Sequence, residues 1–257
     1  MDKRRFSVIS LFPEMFDSLI DFGVSSKAYH NNIIDISFFN PRDYANDRHK
    51  TVDDRPYGGG PGMLMMYEPL AKAVEDAKLN HLDSSGSSPK VIYLSPQGKT
   101  FNQCMAKKLS KEDSIILVCG RYEGVDERFI QDYVDEEVSI GDFIVSGGEF
   151  PAMLVMDSIL RMVPGVLGCE DSAREDSFYS GLLDCGHYTR PAILENSSNV
   201  PSVLLSGNHS NIKRWRMQQM IGRTIERRPD LLTRQCLSEE QEKLYNNYLN
   251  EKDKYAD

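Results

Sequence analysis

Cysteine is sparse in this chain: Cys104, Cys119, Cys169, Cys185 and Cys236 are odd in number, widely spread and form no CxxC pair. That spacing argues against a disulfide framework and against a structural zinc site. Long apolar runs are also missing. No stretch approaches the length a bilayer crossing needs. The run at residues 6–11, although it follows Lys3-Arg4-Arg5, is too short for a signal-peptide core and lacks a small-residue cleavage site. The expectation is a soluble, cytoplasmic protein with no membrane partner. There is no internal repeat, and residues 83–89 form the one low-complexity patch, read as a surface loop. What remains is 257 residues, 40% hydrophobic and 27% charged, enough to bury one large core and one small one.

The two common nucleotide fingerprints are absent too. No G-x-G-x-x-G follows a strand, and Gly98-Lys99-Thr100 resembles the end of a Walker A loop but has Tyr93 where the first glycine belongs. A phosphate cradle is therefore disfavoured. Glycine stands elsewhere, wherever an apolar run stops: in Tyr93-Leu94-Ser95-Pro96-Gln97-Gly98, in Cys119-Gly120-Arg121-Tyr122-Glu123-Gly124-Val125-Asp126-Glu127-Arg128, and in Ser139-Ile140-Gly141-Asp142-Phe143-Ile144-Val145-Ser146-Gly147-Gly148-Glu149. Bare backbone at the carboxyl ends of parallel strands is where open α/β sheets bind small molecules. Glu123 and Tyr122, with apolar Ile140, Phe143 and Val145, suit an adenosine moiety held by main-chain hydrogen bonds between side chains.

The net charge of -9 speaks against a nucleic-acid partner until its distribution is read. Residues 121–149 hold nine acids against Arg121 and Arg128, whereas residues 213–234 hold seven bases against Glu226 and Asp230. The acidic region suits a cationic small molecule and the basic one suits phosphate; two ordinary solvated faces are the alternative. Apolar runs at residues 6–12, 33–39, 91–94 and 114–118 predict strands, separated by helical patterns at 13–22, 68–79 and 101–109. That is the pattern of βαβ units. A helix at 148–163 stops at Pro164-Gly165, a linker follows, and the remainder is mainly helical, with 208–228 as its longest element and a capping box at Ser238-Glu239-Glu240-Gln241. In that long helix Lys213, Arg216, Arg223 and Arg227 form a basic stripe beside an apolar stripe of Met217, Ile221 and Ile225. His209 at its entry reads as a cap or substrate contact, since His30, His49, His81 and His187 share no metal-ligand spacing with it. No metal site is expected.

The three glycine loops, together with Tyr57-Gly58-Gly59-Gly60-Pro61-Gly62-Met63, closely resemble the bacterial tRNA (guanine-N1)-methyltransferase family of the SPOUT superfamily. Arg174-Glu175-Asp176-Ser177-Phe178, His187-Tyr188-Thr189-Arg190-Pro191 and Leu204-Leu205-Ser206-Gly207-Asn208-His209 match it as well, so the resemblance spans nearly the whole chain. It implies S-adenosylmethionine as methyl donor, tRNA as substrate with methylation at N1 of the guanosine 3′ of the anticodon (position 37), and a homodimer whose active site is shared between subunits. It leaves room for Mg2+ as an assistant.

The residues alone predict a doubly wound open sheet, because chain knots are almost absent from proteins. The resemblance replaces that with an α/β fold: a deep trefoil knot in a parallel-sheet N-terminal domain (residues 1–167), a linker (168–176) and a small helical tRNA-binding domain (177–257). Carried over residue by residue, it places Tyr93, Leu94, Ser95, Pro96, Gly120, Tyr122, Glu123, Ser139, Ile140, Gly141, Phe143, Val145, Gly147 and Gly148 around the donor, with Lys213, Arg216, Arg223, Arg227 and His209 on tRNA. Phe143 and Val145 depart from the Tyr and Leu common in the family, which removes a phenol hydroxyl and a methylene. Asp176 is implied as the base that takes the N1 proton, and Arg161 as the cation facing O6. Two other readings carry weight, a related knotted enzyme acting on another RNA and a silent RNA-binding relative; a nucleotide hydrolase built on Gly98-Lys99-Thr100 fails for want of its first glycine.

Overall fold

A computed structural model describes residues 3–82, 88–168, 170–195, 199–232 and 238–253. The low-complexity residues 83–87, with Cys169, Arg234 and Cys236, lie outside them. The chain divides into two compact units, Met1–Glu170 and Asp171–Asp257.

The first unit is built on a five-stranded sheet, parallel throughout. In chain order the strands are β1 (Arg4–Ile9), β2 (Ile34–Phe39), a two-residue antiparallel pair β3 (Asp53–Asp54) and β4 (Leu64–Met65) outside the sheet, then β5 (Lys90–Thr100), β6 (Ser114–Cys119) and β7 (Glu136–Ser139). The sheet runs β2-β1-β6-β5-β7. Both faces are buried, as period-two alternation shows. Phe6, Val8, Ile92, Leu94, Ile115 and Leu117 enter one core; Ile9, Val91, Tyr93, Ile116 and Val118 enter the other. Helices α1 (Asp17–Asp21), α2 (Gly23–His30), α4 (Gln103–Leu109) and α6 (Glu149–Leu160) cover the first core, while α3 (Tyr67–Leu82) and α5 (Glu127–Tyr133) cover the second.

Several expectations shift here. The helix predicted at 13–22 is a 3-10 turn, Pro13–Phe16, followed by α1, because Gly23 with φ +76° ends it and starts α2. The strand at 91–94 extends to Thr100 but is interrupted. Leu94 and Lys99 both pair with Val138, so residues 95–98 leave the ladder as a bulge. Gly98 is needed where the ladder resumes: a Cβ there would sit 2.3 Å from Val138 N. The Walker-like Gly98-Lys99-Thr100 is thus strand backbone, with Lys99 3.9 Å from Glu136, and no loop is left to wrap a phosphate. α5 and β7 arise within the stretch read as loops; β7 spells Glu-Glu-Val-Ser, too short and too polar to show a period.

The second unit is mainly helical. α7 (Glu170–Glu175), inside the stretch expected as a linker, is followed by α8 (Ser202–Leu205), α9 (His209–Arg227) and α10 (Glu239–Asp253). Leu182, Ile221 and Leu244 form its small core, joined by Met217 and Ile225 of the predicted apolar stripe. Gly222 lets α10 close in, since a Cβ there would strike the Tyr248 ring at 2.4 Å. The capping box is present: Ser238 N donates to Gln241 Oε1 at 2.9 Å and Gln241 N to Ser238 Oγ at 3.3 Å.

Candidate active site

Because β6, β5 and β7 are neighbours, the loops at their carboxyl ends open onto one cavity of about 320 Å³. All fourteen residues expected around the donor line it. Arg121, Gly124, Val138, Ile144, Ser146 and Pro151 join them, and these the sequence reading passed over.

Close backbone contact sets the cavity floor. Gly148 N donates to Gly120 O at 2.9 Å, and a Cβ on Gly148 would lie 2.6 Å from Cys119 Cα. A Cβ on Gly120 would meet the Tyr93 hydroxyl at 2.8 Å. Burial, with Glu137 and Glu127 nearby, pushes the Tyr93 phenol up to about 12, so it stays a neutral donor. Ser139 Oγ accepts from Gly141 N at 3.2 Å, which folds the third loop back on its own strand. Gly141 takes φ +141°, a conformation side chains rarely adopt.

Arg121 ties two of these loops together beneath the cavity. Its Nη1 donates to Ser146 O at 3.2 Å, its guanidinium lies 4.5 Å over the Phe12 ring, and its Nε stands 2.8 Å from Glu149 Oε2 without the alignment of a hydrogen bond. Glu149 is fully buried and also accepts from Ser10 Oγ at 2.8 Å. The one cation in the cavity wall is therefore committed to a carboxylate. Glu123 is the acid the cavity offers.

The Tyr57–Met63 motif reaches the rim rather than the floor. Glu123 N donates to Met63 O at 3.0 Å, Met65 N to Gly124 O at 2.9 Å, and a Cβ on Gly62 would fall within 2.3 Å of the Glu123 side chain. Tyr122 adopts φ +61°, and burial followed by a hydrogen bond to Asp53 raises its phenol above the ordinary value. Phe143 is 56% exposed and Ile144 79%, so the rim is apolar on its outer side. Phe12, Phe22, Phe150 and Leu154 are further exposed apolar side chains of the same unit.

The implied catalytic residues fall in different units. Arg161 is the C-cap of α6, its backbone N–H donating to Asp157 O at 3.1 Å. Asp176 directly follows α7 and is half-buried, its carbonyl accepting from Tyr179 N at 3.3 Å. Of the basic stripe on α9, Lys213, Arg216 and Arg227 are exposed, with Arg216 3.9 Å from Glu175. Arg223 is half-buried, its guanidinium packed against Gly186, so the stripe is not uniformly free for phosphate. His209 is exposed in the first turn of α9.

Asp184, Cys185 and His187 bring ligand-type atoms within 4.8 Å of one another, a grouping missed because only histidines were compared for spacing. His187 Nε2 lies 2.7 Å from Asp184 Oδ2. Burial raises the Asp184 carboxyl, but the His187 bond and the Cys185 N–H outweigh it and leave it below the usual range. Imidazole and thiol are poor magnesium ligands, and among the described residues no other such group occurs.

The family model described as tRNA (Guanine-1)-methyltransferase TrmD matches residues 4–234. The chain belongs to this family. Among its relatives is a tRNA (guanine-N(1)-)-methyltransferase of Shewanella sediminis, 58% identical over 245 residues, which are 95% of this chain and 99% of the relative. Proteins of the same name from Francisella philomiragia (57% over 244 residues, 95% and 94%) and a Marinomonas species (58% over 245 residues, 95% and 96%) are similar to the same extent. The family's methyltransferase chemistry agrees with a cavity that lacks a phosphate cradle. No described helix is long and apolar enough to cross a membrane.

Proposed function

We propose that this chain transfers a methyl group from S-adenosylmethionine to N1 of the guanosine 3′ of the anticodon in tRNA, in the cytoplasm. The observation that carries the reading is the cavity itself: fourteen residues picked by resemblance meet around one space at three adjacent strand ends. The donor fits that space on three counts. Gly120, Gly141 and Gly148 leave backbone bare for an adenine and ribose, Leu94, Ile140, Phe143 and Val145 supply apolar walls, and Glu123 offers a carboxylate to a cationic ligand. The Phe143 ring has no hydroxyl, so recognition there rests on packing and main chain.

When bound, the donor supplies an electrophilic methyl on a sulfonium. The chain's own residues have the remaining work. Guanine N1 carries a proton at neutral pH, so its lone pair is unavailable until a base removes it. Asp176 would take that proton and Arg161 would stabilise the negative charge spreading to O6, leaving N1 free to accept the methyl group that the donor would supply. Lys213, Arg216, Arg227 and the flanking His209 hold tRNA phosphates, with Arg223 adding a contact from its seat on Gly186. Among the described residues no cluster of three carboxylates is placed to hold a magnesium ion.

The same reading includes a homodimer and the trefoil knot. Exposed Phe12, Phe22, Phe143, Ile144, Phe150 and Leu154 support a covered apolar face, and a second copy would bring its Asp176 to this cavity. Knotting would thread the loops after β6 and β7, which already meet through Gly148 and Gly120.

The test is Asp176→Asn in single-turnover methyl transfer. The rate should fall by roughly two to four orders of magnitude, the usual worth of a positioned base, with tRNA affinity unchanged. Mixing Asp176→Asn with Gly141→Val should restore activity in heterodimers pairing an intact base with an intact cavity. Turnover at the parent rate would move the base elsewhere, to Glu123 or Asp184. Heterodimers that form but stay inactive would overturn the shared site.

A further inference from the structure

The second unit contains a cavity of its own, about 480 Å³, that the proposed chemistry does not use. Its lining combines three kinds of side chain. Leu204, Leu205 and Ile212 are apolar; Arg190 and Arg216 are cationic; and Tyr188, 50% exposed, leans on Trp215 with ring centroids 6.3 Å apart. Leu205 is 62% exposed, and Ile193 and Leu194, which follow the lining residue Ala192 in the chain, are 67% and 50% exposed. Large apolar groups left open beside two arginines and an aromatic ring suit a ligand that is flat and apolar on one part and anionic on another. Val200 N donates to Ala192 O at 2.9 Å, which joins two of the lining residues. Among the described residues Arg216 pairs with exposed Glu175 at 3.9 Å, a weak surface contact easily exchanged for phosphate.

We propose that this cavity accepts one unpaired nucleotide of the RNA substrate, other than the methylated guanosine. The base rests against Leu204, Leu205 and Tyr188, and the phosphate lies between Arg190 and Arg216. This rests on the tRNA reading above and extends it to recognition of a second nucleotide.

The experiment uses the full-length protein and a panel of anticodon stem-loop RNAs, each with one abasic loop position, with affinity measured at two salt concentrations. For the parent protein one abasic position should weaken binding by about 5- to 150-fold, the range expected for one stacked base. Leu205→Asp and Arg190→Ala, both at exposed positions, should bind parent and abasic RNA alike. Arg227→Ala should keep the abasic penalty and lower the salt slope by about one. A penalty that survives Leu205→Asp, or no penalised position, overturns the proposal while leaving the tRNA reading intact. Saturable binding of a free mononucleotide without any abasic penalty would assign the cavity to a small ligand and also overturn it. A parent protein that binds no stem-loop removes the tRNA reading and this proposal with it.

Discussion

Gly148→Ala is the smallest change that should disable the donor cavity. The new Cβ would lie 2.6 Å from Cys119 Cα and 2.8 Å from Gly120 N. Both are backbone atoms, so no side-chain end can swing aside. Reaching ordinary contact at 3.4 Å requires the end of β6 and the start of α6 to separate by about 0.8 Å. Overpacking of this kind costs about 1–3 kcal/mol, and the rigid neighbours favour the upper end. For a unit of this size that corresponds to a melting point lowered by roughly 6–12 °C. The functional cost is larger, because the displaced segments carry Gly120, Gly147 and the Arg121–Glu149 pair; a misplacement near 1 Å costs on the order of 100-fold in rate. Scanning calorimetry of the full-length protein and titration with S-adenosylmethionine read the two effects separately. Gly168→Ala is the control, since a Cβ there meets nothing within 4 Å. If Gly148→Ala melts and binds donor as the control does, close backbone approach is not what builds the cavity floor.

Glu149→Ala leaves the Arg121 guanidinium without its carboxylate and should destabilise the protein by about 3 kcal/mol, as breaking a buried pair does; Glu149→Gln, which keeps shape and the Ser10 bond, should lose less, and urea unfolding midpoints will rank the two. His81 is 2% exposed, its Nε2 2.9 Å from Ser7 Oγ and its Nδ1 without a partner among the described residues, and burial, then the charge of Arg5, holds its pKa below the ordinary value against the pull of Asp35. The unfolded chain therefore binds this proton first. Stability should hold above about pH 6.5 and fall as pH drops below it, and the fall should shrink in His81→Gln; an unchanged pH slope of unfolding free energy in that variant would assign the acid sensitivity to other groups.

The sheet was legible because β6 and the start of β5 are continuous apolar runs, as strands buried on both faces must be, while edge strand β2 alternates Ile34 and Ile36 with Asp35 and Ser37. The site was legible as glycines at strand ends, and its identity came from the order of motifs rather than from any one of them. What escaped had physical causes. β7 is four residues with two glutamates; α2 begins at a glycine in a left-handed conformation; and the break in β5 depends on backbone contact with β7 that no local pattern encodes. Arg121 and Glu149 read as members of an acidic ligand-loop region, whereas the fold pairs them with each other, Glu149 fully buried. Arg223 looked equivalent to its neighbours in the stripe until its guanidinium was found against Gly186, a contact set by tertiary packing.

The interruption in β5 also constrains how this site can change. Val138 is matched to Leu94 before the bulge and to Lys99 after it, so both ends of the Ser95 loop are anchored to the same residue of one partner strand. Side chains in residues 95–97 are replaceable one at a time, whereas Gly98 has no room for a Cβ. The length of the break is fixed: removing or adding one residue would slide Lys99 and Thr100 by a single step along β7 and turn their side chains to the opposite face. Homologues and engineered variants should therefore vary the composition of this edge of the cavity while keeping its length, and attempts to widen donor specificity by loop insertion will succeed only at the other two loops.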